Sequence, residues 1–207
     1  MGRRPFGQTA QTPEWCAPAD DTAKLGSRLH RLRNRGPTAT DLGTLGTMIL
    51  FLDFDGVLHE DPCFDEARLF ARAPSLAEAL EPFPEVLVVL STSWRTQYTV
   101  AELSQALPAA LRRRVLDATP LITPSDTPAG LLPYRRHAEC ACWLRRQGHE
   151  HKPWVALDDR PSLFAPNCEQ LILCESHVGF VEATARRLHT ALARARFRLG
   201  RPVDAAI

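Results

Sequence analysis

One stretch constrains this chain more than any other: at 48–58, five apolar residues run into Asp53, Asp55 and then Gly56. A short apolar run closed by a turn is typical of a fully buried strand in a parallel sheet. In such sheets the chemistry lies just past the carboxyl ends of the strands, where both acids stand. Gly56 favours a sharp turn that lets both carboxylates point into one space. Acids this close repel each other unless a cation or a shared proton intervenes, which indicates Mg²⁺, a cation that prefers oxygen ligands.

A second apolar run, 86–90, ends in a cluster of hydroxyl side chains that begins with Ser91 and Thr92. The run is rich in β-branched residues and predicts another buried strand. Hydroxyls and backbone N–H groups at a strand end suit an oxyanion ligand such as phosphate. The alternative is that Ser91 or Thr92 only caps the helix that follows.

A third apolar run, 154–157, ends in the adjacent acids Asp158 and Asp159. Asp-x-Asp-Gly alone is common in turns, but two strands that both end in paired acids are harder to explain in that way. If the strands are neighbours in a parallel sheet, their ends lie roughly 5 Å apart. Asp53, Asp55 and Asp159 can then surround one divalent ion.

The remaining segments alternate between strand and helix, which predicts an α/β domain with a mostly parallel sheet. The connection 59–82 is too short to hold a separate domain over the site. The apolar periodicity predicts a last strand over 170–174 and helices over 66–73, 75–80, 100–107, 109–116, 133–147 and 180–199.

With 207 residues, 44% hydrophobic and 24% charged, the chain can form one good core and has the composition of a soluble globular protein. A net charge of +1 gives no general reason to bind nucleic acid or membrane. No apolar run approaches the about 18 residues of a transmembrane helix. The six cysteines form no Cys-x-x-Cys pair, so we expect no zinc site and a reduced, cytoplasmic chain.

Residues 1–47 differ from the rest, with prolines at positions 5, 13, 18 and 37 and few large apolar side chains. This composition predicts a disordered or loosely attached extension before a domain at 48–200, with 201–207 as a tail. The basic N-terminus is not followed by an apolar segment, so a secretory signal is not expected. Met48 directly precedes the first strand, which raises the hypothesis that the natural chain starts there. N-terminal sequencing that finds residues before Met48 would overturn it.

Taken in chain order, these segments resemble the motifs of the haloacid dehalogenase superfamily of phosphotransferases. The stretch 49–57 is similar to the first motif, an apolar strand followed by Asp-x-Asp-x-Val or Thr. The stretch 86–91 is similar to the second, a strand that ends in Ser or Thr, and 157–159 is similar to the fourth, a strand that ends in acids. The run 91–95 also resembles a capless subgroup that includes the domain found in RNA-repair fusion proteins.

The third motif of the superfamily is usually a lysine near a helix N-terminus, and this chain departs from it. Arg136 is the better candidate, because Arg136-x-x-Glu139 followed by Trp143 is similar to segments of small bacterial members. Arg135 and Lys152 are the alternatives.

The resemblance implies a three-layer Rossmann-like domain with little or no cap and an Mg²⁺-dependent phosphatase reaction. Asp53 would be the nucleophile and form an aspartyl-phosphate. Asp55 would protonate the leaving oxygen and later activate the hydrolytic water. The Asp53 carboxylate, the Asp55 carbonyl and Asp159 would hold the metal, with Asp158 as a further ligand or beside one.

The same resemblance implies that Ser91 and Arg136 bind the substrate phosphate, with Thr92 as the neighbouring hydroxyl. A site without a cap cannot enclose a small metabolite, so we expect a bulky substrate such as a nucleic-acid end, a nucleotide or a phosphoprotein. The low net charge speaks against tight general binding of nucleic acid. The arginine-rich face of the helix at 180–199 favours nucleic-acid binding, but this is the weaker of the two indications.

The unusual third motif leaves open a non-catalytic alternative, in which a degenerate domain of this fold serves binding or regulation. A response-regulator receiver also uses strand-end acids and Mg²⁺, but its phosphoacceptor Asp ends a middle strand, where this chain has Ser91. A dehalogenase would not need the metal, so the acids predicted around Mg²⁺ speak against that reaction.

Overall fold

The structure, a computed structural model, describes residues 46–199. The predicted extension 1–47 lies outside the described residues except for its last two positions, and the predicted tail 201–207 lies wholly outside them. Within 46–199, no helix is long and apolar enough to cross a membrane.

Five parallel strands form the central sheet of the domain. They are β1 (Met48–Leu52), β2 (Val86–Leu90), β3 (Val115–Ala118), β4 (Trp154–Asp158) and β5 (Leu171–Leu173). Their spatial order is β3-β2-β1-β4-β5, so β1 lies in the centre and pairs with β2 on one side and β4 on the other. The predicted α/β fold with a parallel sheet is confirmed. The strand order reverses at β1, and open α/β sheets bind ligands at such a reversal.

Helices cover both faces of the sheet and give three layers. They are α1 (Ala73–Ala79), α2 (Val100–Gln105), α3 (Ala109–Arg112), α4 (Arg135–Arg146) and α5 (Glu182–Leu199). Side chains of β1 alternate between the faces: Leu50 joins the cluster formed with α1, α2, α3 and α5, while Phe51 joins Trp143 of α4. Burying an apolar side chain of this size contributes about 1.5–3 kcal/mol, so both layers stabilise the strand that carries the first acids.

The connection from β1 to β2 contains no cap domain between Asp53 and Glu85, as predicted. The helix predicted over 66–73 was wrong, because only Glu66–Arg68 forms a short 3-10 turn there. Pro74 does not separate two helices but stands in the first turn of α1. A proline is tolerated at that position, since its missing N–H would have no partner within the helix.

The edge strand β3 was not predicted, because the sequence favoured one helix over 109–116. The helix α3 ends at Arg112, and the chain then pairs with β2 along Val115–Ala118. None of the β3 side chains is fully buried, and Leu116 is exposed. The strand therefore lacks the continuous apolar run of β1 and β2, and hydrogen bonds to β2 decide its conformation.

Candidate active site

Three carboxylates meet at the carboxyl edge of the sheet, where β1 and β4 end. Leu52 and Leu157 are partners in the parallel ladder, so the residues that follow them, Asp53 and Asp158, lie side by side. Asp53, Asp158 and Asp159 each place an oxygen within 4.8 Å of the others. Asp53 and Asp158 are both buried. Acids from the ends of two strands therefore converge, but the third carboxylate of the cluster is that of Asp158 and not that of the predicted Asp55.

Asp53 is a poorly solvated carboxylate in a crowded position. Its Oδ1 accepts a 2.8 Å hydrogen bond from the Phe54 N–H, and its Oδ2 lies 3.3 Å from Arg136 Nη2. Burial raises the pKa of Asp53 to about 8, while the Arg136 charge opposes this rise and the Asp158 charge adds to it. One guanidinium thus faces several carboxylates, and a further cation would favour their ionised forms.

The Asp158 carboxylate has a buried oxygen that suits a metal. Its Oδ1 accepts a 2.9 Å hydrogen bond from the Arg160 N–H. Its Oδ2 accepts no hydrogen bond from the described residues and lies 3.5 Å from Arg136 Nε, although buried oxygens normally accept one. Burial raises the pKa of Asp158 to about 6, against the Arg136 charge. Three carboxylates at this spacing supply the oxygen ligands that Mg²⁺ takes, so these residues fit the predicted ion.

Asp159 is less buried than the other two acids and is held from two sides. Ser176 Oγ donates a 2.5 Å hydrogen bond to its Oδ2. Gly56 lies against it with a φ of +70°, a left-handed conformation that other residues rarely adopt. A Cβ at this glycine would lie 2.5 Å from Asp159 Cγ. The turn after β1 therefore requires glycine both for its backbone and for the close approach of Asp159.

Arg136 is the candidate cation that the structure brings to the acids. It stands in the first turn of α4 with a side chain only 8% exposed, and its Nη1 lies 3.5 Å from Ser91 Oγ. The side chain of Arg135 is 66% exposed and pairs with Glu139 at 3.1 Å. Lys152 precedes the amino end of β4, at the opposite edge of the sheet from the acids. The geometry favours Arg136 over both alternatives, and its role in phosphate binding stays a prediction.

The two hydroxyls after β2 differ in their contacts. Ser91 is buried beside Arg136, with its Oγ 3.9 Å from Cys140 Sγ. Thr92 Oγ1 accepts a 3.3 Å hydrogen bond from the Trp94 N–H and caps the 3-10 turn Ser93–Thr96. The structure thus gives the Thr92 hydroxyl the capping role that the sequence left open. Phosphate binding by Thr92 stays a prediction.

The Asp55 carboxylate is not part of the three-acid cluster. It accepts hydrogen bonds from Trp94 Nε1 at 2.9 and 3.0 Å and lies 3.2 Å from His59 Nε2, with the Ser93 hydroxyl at 3.4 Å. The prediction that Asp53 and Asp55 point into one space did not include these partners of Asp55. Trp94 lies within the run 91–95 that resembles the capless subgroup. That resemblance is the one feature of the sequence that pointed to a role for Trp94.

A buried ion pair joins the turn after β2 to the helix that carries Arg136. Arg95 Nη2 lies 2.5 Å from Glu139 Oε2, both side chains are buried, and Arg95 also donates to the Thr92 carbonyl. Burial lowers the pKa of Arg95, and the Glu139 charge opposes this effect. Glu139 stands one turn after Arg136 in α4, so the pair supports the placement of that guanidinium. Glu139 belongs to the predicted third-motif segment, but its contact with Arg95 was not predicted.

The fold and this constellation define the class of protein. A central parallel strand is followed by two acids and its neighbour ends in two more, as expected for a haloacid dehalogenase-like domain. An arginine from a helix contacts one acid of each pair, where the superfamily usually has a lysine. Residues 49–185, more than half of the chain, match the family model of the HAD domain in Swiss Army Knife RNA repair proteins, and the chain belongs to this family. No match was found among curated proteins or among solved structures.

Proposed function

We propose that the protein is an Mg²⁺-dependent phosphatase that works through an aspartyl-phosphate on Asp53. The observation that carries this proposal is the placement of buried Asp53 against Arg136, Asp158 and Asp159 at the carboxyl edge of the sheet. Membership of a haloacid dehalogenase-like family supports hydrolase chemistry. The non-catalytic alternative gains no support from this site, because acids and cation are both in place.

Asp53 must be ionised to attack phosphorus, and its surroundings act on that ionisation. Burial disfavours the charged carboxylate, whereas Arg136 at 3.3 Å favours it. Asp53, Asp158 and Asp159 would hold Mg²⁺, together with the Asp55 carbonyl predicted from the family. When bound, the ion supplies positive charge that stabilises the negative charge developing between nucleophile and phosphate. Arg136 and Ser91 then bind the phosphate oxygens, for which the guanidinium fork is suited.

The reaction has two steps, and Asp55 carries the proton in both. In the first step an Asp53 oxygen bonds to phosphorus as the bond from phosphorus to the leaving oxygen breaks, and protonated Asp55 transfers its proton to that oxygen. In the second step a water oxygen bonds to phosphorus as the bond to Asp53 breaks, and Asp55 takes the proton of the water. The enzyme returns to its starting protonation state with one phosphate monoester hydrolysed.

The proposed substrate is bulky, and a phosphorylated nucleic-acid end is the first choice. The described connection between β1 and β2 forms no cap that would enclose a small metabolite. An open groove of about 480 Å³ lies on the same edge of the sheet, between the turn after β2 and the end of β3, with Arg95, Tyr98 and Leu121 in its wall. The family that the chain matches is a domain of RNA repair proteins. This supports a nucleic-acid end as the substrate over a nucleotide or a phosphoprotein.

The arginine-rich face of α5 does not add to this choice. Arg187 Nη2 donates to the Leu173 carbonyl, and Arg196 binds the Glu85 carboxylate, so two of these arginines serve the internal structure of the domain. The choice of substrate therefore rests on the open site and the family.

The test is release of phosphate from an aryl phosphate and from a phosphorylated oligonucleotide, each with and without Mg²⁺. Asp53→Asn should abolish release while the protein stays folded, because the change is nearly isosteric. Asp126→Asn makes the same change at an exposed acid outside the site and should retain activity. Release that persists in Asp53→Asn above about a tenth of the wild-type rate would rule out covalent catalysis by Asp53. No release from either substrate would overturn the proposed function.

A further inference from the structure

The Asp55 carboxylate is held by an indole that contacts both of its oxygens. Trp94 Nε1 lies 2.9 Å from Oδ1 and 3.0 Å from Oδ2, so its N–H points between them. An indole N–H can only donate, which makes the direction of this hydrogen bond certain. A donor shared by both oxygens limits the direction in which the carboxylate can point. Because Trp94 Nε1 is nearly equidistant from the two oxygens, a contact to one oxygen alone is needed to restrict rotation of the carboxylate about its own axis.

His59 provides a second buried donor to the same carboxylate. Its Nε2 lies 3.2 Å from Asp55 Oδ1, and its Nδ1 accepts a 3.5 Å hydrogen bond from the Phe70 N–H. Because Nδ1 acts as the acceptor, the proton of the neutral ring is on Nε2 and points at Asp55. The imidazole thus orients Oδ1 by contact with one oxygen of the carboxylate only.

Both donors are themselves fixed by an aromatic cluster under the site. The Trp94 ring lies 6.0 Å from Phe54, 5.6 Å from Phe70 and 6.0 Å from His59, measured between ring centroids, and the two phenylalanines meet it edge to face. Phe70 has a φ of +60°, which is uncommon for a bulky residue, and this conformation accompanies the contact of its N–H with His59. Backbone held in such a region often occurs at functional sites.

We infer that Trp94 and His59 are positioning residues for the proton transfer by Asp55. The inference rests on the proposed phosphatase function and adds two side chains to its machinery. Neither residue touches the reacting atoms; each acts through the Asp55 carboxylate. Their hydrogen bonds hold Asp55 in the orientation from which it protonates the leaving oxygen as the bond to phosphorus breaks. Loss of these hydrogen bonds should slow the hydrolysis of an ester more strongly when its leaving oxygen depends more on that proton.

This dependence on the leaving group separates positioning from a merely structural role. A nitrophenolate leaves readily without a proton. A methoxyphenolate is more basic, so its departure depends more strongly on proton transfer from an acid. A variant that is only less stable would lose the same factor on every ester. A variant with a misplaced acid would lose more on the poor leaving group. The value of kcat/KM reports the first bond cleavage, so it is the parameter to compare.

The experiment measures kcat/KM of the full chain, with Mg²⁺, on a series of substituted phenyl phosphates of similar size from 4-nitrophenyl to 4-methoxyphenyl. Trp94→Phe keeps an aromatic ring and removes the N–H. It should lose no more than about threefold on the nitrophenyl ester and about tenfold or more on the methoxyphenyl ester, part of the range that general acids contribute. The two losses are compared within one variant, so a smaller folded fraction cancels.

Trp143→Phe is the matched control. Trp143 is also buried and donates its indole N–H to a carboxylate, Asp117, at 2.8 Å, but it packs in the cluster on the other face of the sheet. Its variant should keep the wild-type dependence on the leaving group. His59→Gln places an amide N–H near the position of Nε2 and should retain more of that dependence than His59→Leu, which has no donor.

A steeper dependence in Trp94→Phe and His59→Leu, with a wild-type dependence in Trp143→Phe, would support the inference. Parallel losses across the series in both site variants would overturn it while leaving the phosphatase function intact. Wild-type protein that hydrolyses neither a member of the series nor the phosphorylated oligonucleotide would overturn the proposed reaction, and this inference with it.

Discussion

Arg136 joins the ends of two neighbouring strands, with its guanidinium 3.3 Å from Asp53 Oδ2 and 3.5 Å from Asp158 Oδ2. The same group lies 3.5 Å from the hydroxyl of Ser91, which follows a third strand. One side chain from α4 thus contacts residues at the ends of β1, β2 and β4. Its planar fork, nearly excluded from solvent, is held where a phosphate would meet the acids.

Replacing Arg136 by alanine should weaken use of a phosphate ester, because the site loses a cation that contacts both Asp53 and Ser91. We expect a higher KM and a loss of about 10²–10³-fold in kcat/KM, typical for removal of one charge-stabilising donor. Arg135→Ala removes a guanidinium at the preceding position, where the side chain is 66% exposed, and should have a much smaller effect. Steady-state kinetics compares them, and a larger effect of Arg135→Ala would transfer the role to that residue.

Replacing Asp159 by alanine should weaken binding of Mg²⁺, since this acid offers an oxygen within 4.8 Å of those of Asp53 and Asp158. Loss of a residue that only orients a metal ligand costs about 10–100-fold in affinity, so loss of a ligand should cost at least that much. Calorimetric titration with Mg²⁺ measures the affinity without relying on turnover. Asp126→Ala is the control at an exposed acid. An unchanged titration curve would remove Asp159 from the metal site.

Replacing Glu139 by glutamine should destabilise the fold, because Arg95 would remain buried without its charge partner at 2.5 Å. Such unpaired buried charges cost about 3–5 kcal/mol in the free energy of unfolding. Glu182→Gln breaks an exposed pair with Arg186 at 3.2 Å and should cost about 0–1 kcal/mol. Urea unfolding compares the two variants. Equal small effects would show that the buried pair contributes little, and Arg95→Leu combined with Glu139→Leu should recover much of the loss.

The metal-free protein should lose stability as the pH rises. Burial raises the pKa of Asp53 to about 8 and that of Asp158 to about 6, above the ordinary value of about 4 for an unfolded aspartate. Between the unfolded pKa of about 4 and these raised pKa values, the folded state binds more protons than the unfolded state. The free energy of unfolding therefore falls as the pH rises through this range. Denaturant titrations from about pH 5 to about pH 8 measure this change.

Two comparisons test the origin of that pH dependence. Asp53→Asn removes the group with the largest rise in pKa and should flatten the curve. Added Mg²⁺ should restore stability at the upper end of the range, because a bound cation stabilises the ionised carboxylates. A curve with the same slope in wild type and Asp53→Asn would show that Asp53 ionises at its ordinary pKa in the folded protein.

The sheet was largely predictable from the sequence, and its edge was not. The strands β1, β2 and β4 are buried on both faces, so their apolar runs are continuous and their ends are marked by acids or hydroxyls. The strand β3 has only partly buried side chains, and its partner β2 decides its conformation. Pro74 was a misleading signal, because proline is compatible with the first turn of a helix.

The sequence by itself determined the fold class and the two pairs of strand-end acids, because these follow from local periodicity and from where each apolar run stops. Only the tertiary structure decided that Arg136 and not Arg135 faces Asp53, because adjacent residues of a helix point in different directions and packing of α4 selects one of them. It also decided that the Asp55 carboxylate turns to Trp94, a contact across 39 residues that no local pattern encodes.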